Sequence, residues 1–246
     1  MYHFFIDSAA VGGSKIKITG KDFNHIAHVL RMKQGEELSV SESGTVTEYR
    51  CKIAAFEEDS VTLDVLSTYE NDTELPAKIT LFQGLPKADK MELIIQKAVE
   101  LGVTDIVPVE MARSVVKLDD KKGAAKTARW QGIAEAAAKQ SKRGIIPNIA
   151  APVSYKEALK IAADYDELWV PYENADGFAY TKKLVSEFAA GESVAIIIGP
   201  EGGFEPSEIE SAKNAGGKII SLGKRILRTE TAGLVILSLI MAELEQ

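Results

Sequence analysis

The chain is short of the residues on which much enzyme chemistry depends. It has a single cysteine, Cys51, and three histidines, His3, His25 and His28, none beyond position 28 of 246. A lone cysteine cannot close an internal disulfide, which points to a reducing compartment with the cytoplasm as the default, and it excludes a structural zinc site. His25 and His28 stand three apart, as two ligands on one helix face would, but no third ligand accompanies them. They read as surface histidines, and no metal is assigned. No Ser/His/Asp or Cys/His nucleophilic arrangement can be built from histidines placed so early. No apolar run reaches the roughly 20 residues of a membrane span, and residues 1–10 lack the cationic start of a signal peptide. Residues 232–242, between Glu230 and Glu243, form the most apolar helix but are too few to cross a bilayer. They are expected to pack on the core or on a second subunit.

What is present is ordinary for a globular protein: 46% hydrophobic and 26% charged residues, enough chain for one large domain or two modest ones. The formal net charge of -7 argues against indiscriminate nucleic-acid binding. Locally the sign reverses, because residues 111–143 hold nine Lys or Arg against three acidic residues, a net of +6. This run is either a solvated face or a phosphate-binding surface.

The first 70 or so residues are β-rich, with alternation at 15–18, 37–40, 46–54 and 61–66 and turn residues between them. Phe23, Ile26, Ala27 and Leu30 follow the spacing of one apolar helix face, and Arg31 and Lys33 fall at its C-terminal end. Residues 69–76 (YENDTELP) have the composition of a linker. Beyond it strands alternate with helices. Strand 79–83, a helix carrying Met91, Ile94, Ile95 and Ala98 and stopped by Gly102, and strand 105–109 make a βαβ unit. Helices are expected at 126–140, from Ser154 with a capping box to Glu157, at 181–190, after Pro206 and at 229–244. Strands are expected at 168–171, 194–198 and 218–221, the unbroken apolar run of 194–198 suiting a parallel strand covered on both faces. The expected domains are residues 1–72, a small barrel-like module, and residues 73–246, an α/β domain.

Two segments at the ends of strands could carry chemistry, since ligands of open α/β sheets bind there. Residues 199–203 (GPEGG) precede a helix as a phosphate loop would. They lack the Lys-Ser/Thr pair and the G-x-G-x-x-G spacing, and they place a carboxylate where phosphate charge would collect. They suit a nucleoside-like ligand that is uncharged or cationic, or else a tight turn in which Glu201 caps the following helix. Residues 222–232 (LGKRILRTETA) set Ile226 and Leu227 among basic residues in a loop. These aliphatics could sandwich a flat base while Arg228 faces a second, anionic substrate. Alternatively they plug the core, with Arg228 paired to Glu230.

These segments, read with HVLRMKQGEEL (28–38), KADKMELIIQKAVELGVTDIVPVEMARSV (87–115) and EAAAKQSKRGIIP (135–147), resemble the bacterial 16S rRNA uracil-N3 methyltransferase family of the SPOUT superfamily, over essentially the whole chain. The resemblance implies a PUA-like N-terminal β-barrel that helps hold RNA and a C-terminal α/β methyltransferase domain with a deep trefoil knot. It also implies a homodimer, 16S rRNA or the assembled small ribosomal subunit as partner, and S-adenosyl-L-methionine as methyl donor. Carried onto this sequence, the donor would lie among Val170, Pro171 and Tyr172, then Ile198, Gly199, Pro200, Glu201, Gly202 and Gly203, and then Leu222, Gly223, Arg225, Ile226, Leu227, Thr229, Thr231 and Ala232. A cationic sulfonium without phosphate agrees with the carboxylate of Glu201.

Methylating N3 of uracil requires loss of a weakly acidic imide proton, and a cation near O2 or O4 would stabilise the anion. Arg228 is expected in that role, with positioning of the two partners supplying much of the rest. The base stays open among Glu230, Glu201, solvent hydroxide and an RNA group. A structured RNA would have to present an unpaired or flipped base. Backbone contacts are expected from Arg31, Lys33, Arg113, Lys117, Arg129, Lys142 and Arg143. Two rival readings are a methyltransferase of the same superfamily acting on another RNA and a non-catalytic RNA-binding ribosome assembly factor. An adenine-nucleotide enzyme is disfavoured by the missing Lys-Ser/Thr pair.

Overall fold

The computed structural model describes residues 1–175 and 177–245. The chain forms two compact units, Met1–Glu74 with Ala138–Ile146, and Leu75–Ala137 with Pro147–Gln246.

The first unit holds strands β1 (Tyr2–Ile6), β2 (Val11–Gly12), β3 (Lys15–Thr19), β4 (Glu37–Glu42), β5 (Thr47–Phe56) and β6 (Ser60–Glu70). They form one sheet in the order β1-β4-β5-β6-β3-β2, with β1 parallel to β4 and the other neighbours antiparallel. Alternation works where one face meets the core: in β3, Ile16 and Ile18 are buried and Lys15 and Lys17 exposed. Strand β1 escaped the sequence reading because His3, Phe4, Phe5 and Ile6 are all buried, which erases the two-residue period. Helix α1 (Gly20–Asn24) continues as a π-helical turn, His25–Val29, and buries Phe23 and Ile26 in the same core. His25 and His28 pack edge-on against Phe4 and Phe23. Among the described residues no group of three or more His, Cys, Asp or Glu could hold a metal ion. Burial pushes the Cys51 thiol up to about 12, so it is a core residue with little thiolate character.

The segment that reads as a linker is tied down. Asn71 donates to Glu48 at 2.6 Å and to the Lys142 carbonyl at 3.3 Å, and Glu74 binds the Arg143 guanidinium and the Ile145 amide. Lys139 pairs with Asp22 at 2.8 Å. These contacts bring residues 138–146 into the first unit, whereas the sequence reading assigned everything after residue 72 to the second. Composition reports that Glu74 is acidic but not that a cation far along the chain meets it.

The second unit contains β7 (Lys78–Gly84), α2 (Lys90–Glu100), β8 (Asp105–Glu110), most of α3 (Asp120–Ser141), β9 (Asn148–Ile149), β10 (Val153–Ser154), α4 (Tyr155–Ala162), β11 (Glu167–Pro171), α5 (Phe178–Glu187), β12 (Ser193–Ile198), α6 (Pro206–Asn214), β13 (Lys218–Ile220) and α7 (Thr229–Leu244). Its sheet is parallel throughout, in the order β10-β8-β7-β12-β11-β13, with β9 beside β8. The central strands β7 and β12 are buried almost from end to end, which is why they read as unbroken apolar runs. Ser154 caps α4 by accepting from the Glu157 amide at 3.2 Å, the serine half of the expected capping box, while the Glu157 carboxylate pairs with Lys160 at 3.1 Å instead of reaching back. Helix α3 begins six residues before the expected start, because its first turns are polar and carry no apolar stripe. Helix α5 begins three residues early, at Phe178. No helix among the described residues is long and apolar enough to cross a membrane. The strand order sets the C-terminal ends of β12, β11 and β13 side by side, so three loops leave the sheet along one edge.

Arg143 is 3% exposed and Glu74 is its carboxylate partner. Replacing Arg143 with Met is expected to lower stability by about 3 kcal/mol, since one partner of a buried ion pair is left uncompensated. Urea denaturation followed by circular dichroism measures this, and a change within the scatter of a surface substitution would mean the pair is screened by solvent.

Candidate active site

Three buried side-chain hydrogen bonds assemble the edge. Gln83, fully buried at the end of β7, donates from Nε2 to Thr229 Oγ1 at 2.8 Å, and Thr229 Oγ1 donates to the Gly199 carbonyl at 2.6 Å. This relay joins β7, the loop after β12 and the first residue of α7. Thr181 on α5 donates to the Ser221 carbonyl at 2.6 Å and so holds the other end of the loop leaving β13. The approach of β7 to the glycine loop is close: a Cβ on Gly84 would lie 2.7 Å from the Pro200 nitrogen and 2.8 Å from the Met111 sulfur. Only glycine fits there.

Residues 199–203 fold into a turn in which the Gly203 amide donates to the Pro200 carbonyl at 2.9 Å and Gly203 takes φ +66°. Glu201 accepts the Lys87 amide on both oxygens, at 3.1 and 3.3 Å, and pairs with Lys90 Nζ at 3.1 Å. Partial burial raises the Glu201 carboxyl, but the backbone amides and the Lys90 ammonium outweigh it and hold it below the ordinary carboxylate range. Lys90 also lies 3.3 Å from Glu230, so one ammonium bridges carboxylates on two loops. Beyond the turn, Glu208 accepts the Glu205 amide at 2.8 Å and the Ala112 amide at 2.9 Å, which fixes the start of α6. The sequence reading found Pro206 there but not this cap.

The loops enclose a cleft of about 330 Å³ within the second unit, a size suited to a small ligand. The structure brings most of the sequence-derived cofactor residues to it. Pro171 and Tyr172 come from the end of β11, Ile198, Gly199, Pro200, Glu201 and Gly203 from the end of β12 and its turn, and Leu222, Gly223, Arg225, Ile226, Leu227, Thr229 and Ala232 from the third loop and α7. Arg228 lines the cleft as well and makes no ion pair among the described residues, since Glu230 is turned to Lys90. Ile226 is 85% exposed. It does not plug the core but stands on the cleft as uncovered aliphatic surface.

Three of the candidate cofactor residues lie elsewhere. Val170 is fully buried in the sheet core, Gly202 backs onto Arg113, whose Cβ would be 2.9 Å from an added Cβ, and Thr231 belongs to the first turn of α7. Lys90, Glu173, Phe204 and Ser221 line the cleft without having been singled out. Lys90 could have been suspected from the KADK segment opening a helix. Nothing local distinguishes the others.

The basic candidates divide as well. Arg31, Lys33 and Lys142 are exposed on the first unit, Arg31 and Lys142 with left-handed backbones at φ 54° and 60°. Lys117 is exposed on the second unit, and neither it nor Lys142 makes an ion pair among the described residues. Arg129 pairs with Glu92 at 2.7 Å. Arg113 donates to Glu205 at 2.8 Å and to the Gly202 carbonyl at 3.0 Å, bracing the glycine turn from outside. Arg143 is a structural residue: its buried charge is bound to Glu74, and it leaves the set of RNA contacts.

This site on this sheet defines a class. A family model described as an RNA methyltransferase domain matches residues 73–241, and one described as an RNA methyltransferase PUA domain matches residues 18–66. The Bacillus subtilis protein named ribosomal RNA small subunit methyltransferase E is 40% identical over 232 residues, which cover 93% of this chain and 90% of that protein. Its namesake from Mesomycoplasma hyopneumoniae is 32% identical, covering 97% and 98% of the two chains. A Neisseria gonorrhoeae enzyme of the same name, solved bound to S-adenosyl methionine, superposes with a TM-score of 0.85 at 30% identity, covering 98% and 97%. The chain belongs to the ribosomal RNA small subunit methyltransferase E family of RNA methyltransferases. Its N-terminal sheet is accordingly PUA-like, and its parallel-sheet unit is the methyltransferase domain.

The relay through Thr229 makes a local forecast. Thr229→Val keeps the shape but leaves the Gly199 carbonyl without the threonine hydroxyl and Gln83 Nε2 with the Gly84 carbonyl as its remaining acceptor, at an expected cost of about 2 kcal/mol. Thermal or urea unfolding should show this loss, with Thr229→Ser recovering most of it. Equal stability of all three proteins would remove the relay from the account.

Proposed function

We propose that this chain transfers the methyl group of S-adenosyl-L-methionine to N3 of a uridine in the 16S ribosomal RNA of the small subunit. The observation that carries the reading is that the Gly199–Gly203 turn and the loop from Leu222 to Arg228 make one cleft, lined by Glu173 and Glu201 as well as by Lys90, Arg225 and Arg228. The donor set fits the group. Glu173 and Glu201 line the cleft and suit a cation, Gly203 leaves room beside Glu173, and no Lys-Ser/Thr phosphate cradle is present. Support also comes from relatives named for this reaction class and from a structural relative bound to the donor.

When bound, the donor supplies an electrophilic methyl carbon. The backbone of residues 222–227 would read the adenine edge, and Ile226 and Leu227 would cover its face, which gives the exposed Ile226 a partner. Arg228, on the same cleft and without a carboxylate, would face the uracil and stabilise the charge left when the N3 proton departs.

The remaining parts of the reading are of the same standing. The first unit holds RNA and the second performs the transfer, with Arg31, Lys33 and Lys142 of the first and Lys117 of the second the best placed to meet phosphates. The protein works in the cytoplasm as a homodimer, since α7 leaves Leu234, Val235, Leu239 and Met241 only half-buried. The domain carries a trefoil knot, one of the rare exceptions to unknotted folds.

Mass mapping of ribosomal RNA from cells lacking the protein should show one uridine of 16S rRNA without its N3 methyl group, restored on complementation. Purified protein should bind the donor in calorimetry, and Arg228→Ala should lower turnover by about 100-fold with donor affinity little changed. Methylation of transfer RNA instead of the small subunit would favour another RNA substrate, and absence of donor binding would leave an assembly factor. Equal losses of turnover and donor affinity in Arg228→Ala would make that arginine structural.

A further inference from the structure

Besides Arg225 and Arg228 the cleft presents a third cation, one that the motifs did not single out. Lys90 is the first residue of α2, held where a helix N-terminus disfavours a cation unless carboxylates compensate. Glu201 at 3.1 Å and Glu230 at 3.3 Å do so, one from the turn after β12 and the other from the first turn of α7. Glu201 is itself anchored by the Lys87 amide, so the ammonium is held from two sides on rigid elements. An ammonium has three N–H donors. It meets the two carboxylates as ion pairs, leaves Glu230 Oε2 without a hydrogen-bond partner among the described residues, and lines the cleft with Arg228.

We propose that Lys90 is a catalytic residue that donates from its ammonium to a carbonyl oxygen of the uracil, so that Lys90 and Arg228 together stabilise the anion formed at N3. The assignment rests on the reading of the cleft as a uridine methyl-transfer site. It also answers where the proton goes. Glu230 does not line the cleft, and Glu201, despite its partial burial, is held below the ordinary carboxylate range by its amide and ammonium partners, which makes it a weak base. Hydrogen bonding to the two carboxylates raises the Lys90 ammonium and keeps it a donor, against the smaller effect of its partial burial. The N3–H proton therefore passes to hydroxide from solvent, giving water and a uracil anion whose charge is spread over O2, N3 and O4. The N3 lone pair then forms the bond to the methyl carbon as the carbon–sulfur bond breaks, its electron pair staying on sulfur.

The test is single-turnover methylation of small-subunit RNA as a function of pH, with donor affinity measured in parallel by calorimetry, for the full-length wild type, Lys90→Met and Lys90→Arg. Wild-type rates should rise with pH to a plateau. In Lys90→Met the midpoint should move up by about one pH unit or more, a tenfold loss at neutral pH that shrinks toward high pH, while donor affinity holds. Lys90→Arg should keep the wild-type midpoint, and it carries the test alone should the Met variant fail to fold. A uniform loss at every pH, a parallel loss of donor affinity, a wild-type profile in Lys90→Met or a shifted midpoint in Lys90→Arg would each overturn the assignment. Wild-type protein that binds no donor or transfers no methyl group would overturn the site reading first, and this assignment with it.

Discussion

The Gln83–Thr229–Gly199 relay is the contact on which the rest of the site depends. It lies in the interior, where a lost partner is not replaced by water, and it joins the one place where β7, the turn after β12 and α7 meet. Those elements are far apart in sequence, and without the relay the two chemically suggestive loops would have no reason to share a cleft. The close passage of Gly84 under Pro200 belongs to the same joint, for no side chain could stand between the strand and the turn.

Around this joint the charges are arranged in layers. Lys90 bridges Glu201, on the cleft, and the more buried Glu230, so that Glu201 is partly neutralised rather than exposed as a bare anionic wall. Glu173, Arg225 and Arg228 occupy the more open side. A polyphosphate would meet Glu173 beside those arginines and no cradle of amides followed by Lys-Ser/Thr. A cationic donor with a neutral nucleoside meets a compatible mixture, and an acceptor that becomes anionic during reaction meets cations. Arg113 serves this arrangement from behind, bonded to Glu205 and to the Gly202 carbonyl, and so contributes to shape where the sequence suggested contact with RNA.

The methyltransferase unit was the more legible half. The buried strand β12 announces itself as a continuous apolar run, and α7 spans the predicted Thr229–Leu244 because its apolar pattern and its acidic first residues agree. The two functional loops stood out because glycine, or aliphatics among basic residues, have few other reasons to occupy a loop. What escaped reading has physical causes. Strand β1 is buried on both faces and shows no period. Lys90 is one lysine among many until its carboxylate partners are seen in space, and Arg143 looks like part of a basic face until its burial against Glu74 is known. Pairing between distant charges leaves no mark on local composition.

The central claim is that the two loops hold one cationic methyl donor beside Arg228 and Lys90. The most direct measurement is a crystal structure of this protein grown with S-adenosyl-L-methionine. The account predicts the adenosine against the backbone of residues 222–227 and the methyl carbon turned toward the cations. A donor bound elsewhere, or a cleft that stays empty at saturating donor, would contradict it.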